Sequence, residues 1–205
     1  MRYAVAILVG MAVLVGCTSS PRRVSAAGPI VPPKFEPLAA KDKPYELGPI
    51  NVFTMMEVEA YLDEAVKRGD KSVTMRINSP GGSVFAAFAI VHKIEELGIP
   101  VHCAVDGMAA SAAFVILQGC TTRTATGRSM LMIHRASAHG EFGGGEDEFR
   151  NTADFLRVIN AAMISHCAAR MGMTEEAFGD KIEGTREWWF TAREALGSRA
   201  IDAVR

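Results

Sequence analysis

The chain has 205 residues, enough for one domain of ordinary size and hardly for two. Its 22 basic and 23 acidic side chains leave a formal net charge of −1, with the two signs intermixed and no basic tail or stripe. That balance makes nucleic acid a poor partner, and a domain of this length buries roughly 70% of its unfolded surface without a metal or disulfide to hold it.

The first sixteen residues, MRYAVAILVGMAVLVG, give one arginine and then an apolar run too short to cross a bilayer comfortably as an anchor helix. This is the layout of a signal peptide over residues 1–16. Leu14-Val15-Gly16-Cys17 resembles the lipobox of bacterial lipoproteins, which implies a lipid on Cys17 and a membrane as partner. By the same resemblance, Thr18 in place of an aspartate implies the outer membrane, on the periplasmic side of a bacterial cell envelope. Residues 17–44 hold six of the nine prolines and read as an extended tether, reaching about 3.1 Å per residue when fully stretched.

From residue 45 to 205 the pattern alternates as in an α/β layered domain with parallel strands. A strand is expected near Tyr45–Val52, then a helix over Met55–Arg68 capped by Thr54, with apolar residues at helical spacing. Ser72–Ile77 reads as a strand ending in the turn Asn78-Ser79-Pro80-Gly81-Gly82. Ser83–Leu97 is a helix stopped by Gly98 and Pro100, Val101–Val105 a strand, and Ala110–Gln118 a buried helix. Arg128–Ile133 includes a strand leading into His134. The glycine-rich stretch His139–Gly145 precedes a long helix near Asp147–Arg170, and a shorter helix follows Thr174.

Three cysteines follow Cys17: Cys103, Cys120 and Cys167. One pair could bridge in an oxidising compartment, but the spacing does not say which; all three are expected to be buried and apolar in behaviour. There is no C-x-x-C or H-E-x-x-H, so no metal and no cofactor is expected.

The chemistry centres on DGMAASAAF, Asp106–Phe114, where one serine stands in a run of small residues. Ser111 falls where a strand gives way to a helix, and a helix N-terminus favours developing negative charge. Two consecutive glycines in Ser79-Pro80-Gly81-Gly82-Ser83 let a backbone approach a ligand and expose an amide. The amides of Gly81 and Ala112 would together make two donors for an oxyanion. Of the five histidines, His92 and His166 fall in helices and His102 in a strand. His134 and His139 are close rivals as base on the sequence alone.

INSPGGSV (Ile77–Val84), GMAASAA (Gly107–Ala113) and MIHRA (Met132–Ala136) resemble, in order and spacing, the three signature segments of the Clp protease proteolytic subunit family of serine peptidases. REWWFTAREALGSRAID (Arg186–Asp202) resembles that family's closing segment. The resemblance implies a Clp-protease/crotonase-like α/β fold with an extended handle helix. It implies Ser111 as nucleophile, His134 as general base, and Gly81 and Ala112 as oxyanion donors. It further implies peptides or unfolded proteins as substrates and a homo-oligomeric ring. The glycine-rich stretch corresponds to the family's handle, where substrates add as a β-strand and rings meet. Where the family has an aspartate as third triad member, this chain has Glu187, with Asp180 as the fallback. The tether stands in place of the axial segment that meets an ATP-driven unfoldase, so ATP-independent hydrolysis is expected. Three rivals stay open. A signal-peptide-peptidase-like enzyme would use a serine–lysine dyad, yet no lysine lies between Lys93 and Lys181. A crotonase-type acyl-CoA enzyme would need no serine. A scaffold with an inherited protease fold would not be catalytic at all.

Overall fold

The computed structural model describes residues 43–138 and 145–205. The expectations for the signal peptide, Cys17, most of the tether, His139 and the glycine-rich stretch up to residue 144 lie outside the described residues. Among the described residues, no helix is long and apolar enough to cross a membrane.

Strand β1 (Tyr45–Leu47) pairs parallel with β2 (Val73–Ser79), and β2 pairs parallel with β3 (Val101–Ala110). Between β1 and β2 runs α1 (Val52–Arg68), whose Val58, Leu62 and Ala65 are fully buried at helical spacing. Burial of a valine or leucine side chain of this kind contributes roughly 1.5–3 kcal/mol. The helix starts earlier than its apolar spacing predicts. Asn51 is the cap, its Oδ1 accepting from the amides of Phe53 and Thr54 at 2.8 and 3.1 Å. The Thr54 hydroxyl instead donates to the Pro49 carbonyl at 2.7 Å. Gly69, at φ 76°, closes the helix in the left-handed region.

Helix α2 (Val84–Glu96) follows β2 and α3 (Ala112–Gly119) follows β3. β3 is longer than its apolar run because its two halves serve different partners. His102–Val105 pair with β4 (Thr122–Ala125), and Met108–Ala110 pair with β5 (Met130–Ile133), both parallel. The change of partner coincides with a register shift against β2 between Ile77 and Ser79. There the Met108 amide donates to Asn78 Oδ1 at 3.2 Å, and a Cβ on Gly107 would come within 2.5 Å of that oxygen. Only a glycine leaves that hydrogen bond undisturbed at the register shift.

The long helix α4 (Glu146–Met171) packs against α3, the short α5 (Glu175–Lys181) packs against α4, and the chain then leads to β6 (Trp188–Thr191). β6 pairs antiparallel with β5, the exception among the described residues in an otherwise parallel sheet ordered β1-β2-β3-β4 and closed by β7 (Ala203–Val204). Between β6 and β7, α6 (Ala192–Gly197) starts with Thr191 and Glu194 in a reciprocal capping box. The tail is fastened where the 4%-exposed side chain of Arg123 grips Asp202 at 2.6 Å and Gln118 at 2.6 Å.

Cys103 and Cys120 form a disulfide that links β3 to the residue ending α3. All three described cysteines are buried, as expected, but only Cys167 behaves as a free apolar side chain. The bridge joins residues 17 apart in the chain, with Ser111 between them, a loop length for which cross-linking stabilises by about 3 kcal/mol.

Candidate active site

The architecture brings three chain segments to one place. β3 runs directly into Ser111, which leads α3 with φ 55° and ψ −122°. A non-glycine residue in that region of backbone space is strained by about 1–3 kcal/mol, and surrounding contacts must hold it there. One is the Ser111 amide donating to the Met132 carbonyl at 2.8 Å. The sharp strand-to-helix turn lifts the hydroxyl out of the sheet, as a nucleophile elbow does.

β5 ends at Ile133, so the next residue, His134, leaves the sheet beside that turn. Its Nε2 lies 2.8 Å from Ser111 Oγ, both side chains being partly exposed. Two of the six site residues read from the sequence are thereby brought into hydrogen-bonding contact. The other described histidines are engaged elsewhere: His92 with Glu96, His102 with Thr122 Oγ1, and His166 with the Val115 carbonyl.

The glycine turn is held from outside by Ile50, which donates to the Gly81 carbonyl and accepts from the Ser83 amide, each at 2.9 Å. Gly81 has φ 98° and Gly82 φ 145°, and a Cβ on Gly82 would stand 2.0 Å from the Ile50 carbonyl oxygen. A Cβ on Gly81 would meet Ala110 O at 2.6 Å and Ser111 Cβ at 2.8 Å. The turn thus lies against the serine with no room for a side chain. As the first residue of α3, Ala112 has an amide with no intrahelical acceptor. The Gly81 amide, in contrast, donates to the Oγ of fully buried Ser79 at 3.1 Å.

Glu187 is brought to the right neighbourhood but not into contact. The β5–β6 ladder ends with Ile133 opposite Trp188, so His134 and Glu187 are the next residues on the two strands. The Glu187 carboxylate is exposed and accepts from Trp189 Nε1 at 2.9 Å. Asp180 is also exposed, at the end of α5, with its carbonyl accepting from Arg186 at 2.6 Å. Among the described residues, no carboxylate is hydrogen-bonded to His134.

Two contributors escaped the sequence reading. Asn160, buried on α4, accepts from the Ala136 amide at 2.7 Å and pins the segment just past His134. A polar side chain between Ile159 and Met163 on the buried face was the available signal. Ser79, a short hydroxyl two residues ahead of a glycine, carries the signature of a side-chain-closed turn.

Beside Ser111 and His134 opens a cleft of about 420 Å³. Its walls are apolar, from Val84 and Phe85 on α2, Val115 on α3, Ala136, and Met163 on α4. Among the described residues, no cluster of three or more His, Cys, Asp or Glu side chains could hold a metal ion.

The Clp protease family profile matches residues 52–205. ATP-dependent Clp protease proteolytic subunit 1 of Leifsonia xyli subsp. xyli is 31% identical over 149 residues, 69% of this chain and 71% of that one. Subunit 2 of Thermobifida fusca is 32% identical over 66% of each chain, and the Porphyromonas gingivalis subunit 33% identical over 70% of this chain and 63% of its own. The similarity thus spans about two thirds of the length of these curated relatives. Since the family match takes in the glycine turn, the serine elbow and the histidine strand together, the chain belongs to the Clp protease family.

Proposed function

We propose that this chain is a serine endopeptidase that hydrolyses peptides or unfolded protein segments through an acyl-enzyme, without ATP. The observation that carries the reading is the 2.8 Å contact between His134 Nε2 and Ser111 Oγ on a strained turn at a cleft. His134 takes the Ser111 proton as Oγ attacks the peptide carbonyl, then returns it to the departing amine. Water repeats the sequence on the ester. The Ala112 amide stabilises the oxyanion of each tetrahedral intermediate. The Gly81 amide joins it by exchanging its neutral bond to Ser79 for a charge-assisted one, which is roughly twice as strong. Glu187 is the orienting acid. The apolar walls favour an apolar substrate side chain beside the scissile bond.

The relatives are named ATP-dependent; the setting proposed for this chain is one without ATP. The lipobox-like Leu14–Cys17 favours a lipid-anchored protein of the bacterial cell envelope, on the periplasmic side of the outer membrane, where no ATP is supplied. The Cys103–Cys120 disulfide supports that reading, because such bridges persist in oxidising compartments. Exposed Phe149, Phe155 and Val158 on α4 favour a homo-oligomer that covers them.

Incubating the full chain with a denatured protein and no nucleotide should release peptides, and added ATP should leave the rate unchanged. Strict dependence on ATP would overturn the ATP-independent reading. Cys17→Ser should move the protein from the membrane to the soluble fraction while intact mass loses the lipid; an unmodified wild-type N-terminus would exclude the anchor.

A further inference from the structure

The paired tryptophans of Glu187-Trp188-Trp189-Phe190 have different surroundings. Trp188 packs inward against Phe178 and Phe190, at ring separations of 5.7 and 4.4 Å. Trp189 is 45% exposed and contributes little to the core. Its indole N–H is committed to Glu187 Oε2 at 2.9 Å. Residues two apart on a strand share a face, so Trp189 stands where its donor reaches the Glu187 carboxylate. Met132 lies opposite Trp189, and His134 is two residues beyond Met132. Continued by one residue, the ladder would set His134 and Glu187 on that same face, directly opposed.

We propose that Trp189 is a positioning residue that holds the Glu187 carboxylate off His134, so that the resting site is a serine–histidine pair. It becomes a triad when the Glu187 side chain turns from the indole to the imidazole. This inference rests on the reading of Ser111, His134 and Glu187 given above. Neighbouring charges do not compete for the carboxylate: Arg135 donates its Nε to the Ile182 carbonyl, Arg186 binds the Asp180 carbonyl, and Lys181 lies over the Trp188 ring at 5.7 Å. Among the described residues, Glu187 forms no salt bridge.

A hydrogen bond to a charged acceptor that is open to water leaves the competent arrangement a minor one. Deleting the donor should therefore raise the rate by about 3- to 10-fold. The test uses the full chain and the second-order rate of fluorophosphonate labelling at Ser111, measured across pH. Trp189→Phe keeps an aromatic ring and removes the N–H. It should raise the rate by that factor and move the acid limb to higher pH, because a carboxylate facing the imidazole favours its protonated form. Glu187→Gln should lower the rate by about 100-fold or more, and in the double variant the gain from Trp189→Phe should vanish. A rate and pH profile unchanged by Trp189→Phe, or a gain that persists in the Glu187→Gln background, would overturn the proposal. So would full labelling of Glu187→Gln, while leaving Ser111 and His134 as the working pair. Labelling that survives Ser111→Ala would instead strike the peptidase reading itself.

Discussion

Ser111→Ala and His134→Ala should each lower kcat for peptide cleavage on the order of 10⁶-fold, about 8 kcal/mol of transition-state stabilisation. On the proposed reading the two side chains act as one unit. Without the hydroxyl no ester forms, and without the imidazole 2.8 Å away nothing accepts its proton. The double variant should consequently be no worse than either single one. Neither side chain lies in the core, both being partly exposed, so thermal unfolding should change little. Steady-state cleavage of a fluorogenic peptide, run beside a melting curve, checks both halves. Additive losses would show that the two residues do not share a step.

Gly81→Ala should lower kcat by about 10²- to 10³-fold, the loss expected when an oxyanion donor is removed. The new Cβ would stand 2.6 Å from Ala110 O and 2.8 Å from Ser111 Cβ, at a backbone φ of 98° that alanine resists. Either the glycine turn retreats or the serine elbow does, and in both cases the amide and the hydroxyl part company. Gly48→Ala, whose Cβ would meet nothing within 4 Å, is the control and should keep full activity. Comparing kcat and KM for the two variants separates a displaced oxyanion donor from a blocked cleft, since the former reduces kcat with little change in KM. Equal activity in both variants would remove Gly81 from the site.

Much of this site was legible because its signals are local. Consecutive glycines at a strand end report a backbone that nothing larger can adopt, and Gly81 and Gly82 stand at φ 98° and 145°. An apolar strand ending in a histidine says where the side chain emerges, and His134 does emerge beside the elbow. The parallel layering followed from strands alternating with helices, and among the described residues the sheet is parallel except for β6. What escaped depends on partners distant in sequence. β4 and β7 are short, and their pairing joins residues near Thr124 to residues near Ala203. The choice of Cys103 and Cys120 depends on β3 and the end of α3 lying side by side. The cap of α1 fell to Asn51 because apolar spacing does not distinguish among neighbouring polar residues. The orientation of Glu187 was beyond motif reasoning altogether. A motif marks Glu187 as the residue one step past the β5–β6 ladder, as His134 is, whereas the bond its carboxylate makes to the Trp189 indole is a matter of side-chain geometry.

The central claim is that Ser111 is a nucleophile activated by His134. It is tested most directly by treating the full chain with a fluorophosphonate and mapping the adduct by mass spectrometry. One phosphonyl group should appear, on the peptide containing Ser111, and His134→Ala should slow its formation to near the background rate. An unlabelled protein, or an adduct on another residue with Ser111 untouched, would contradict the account.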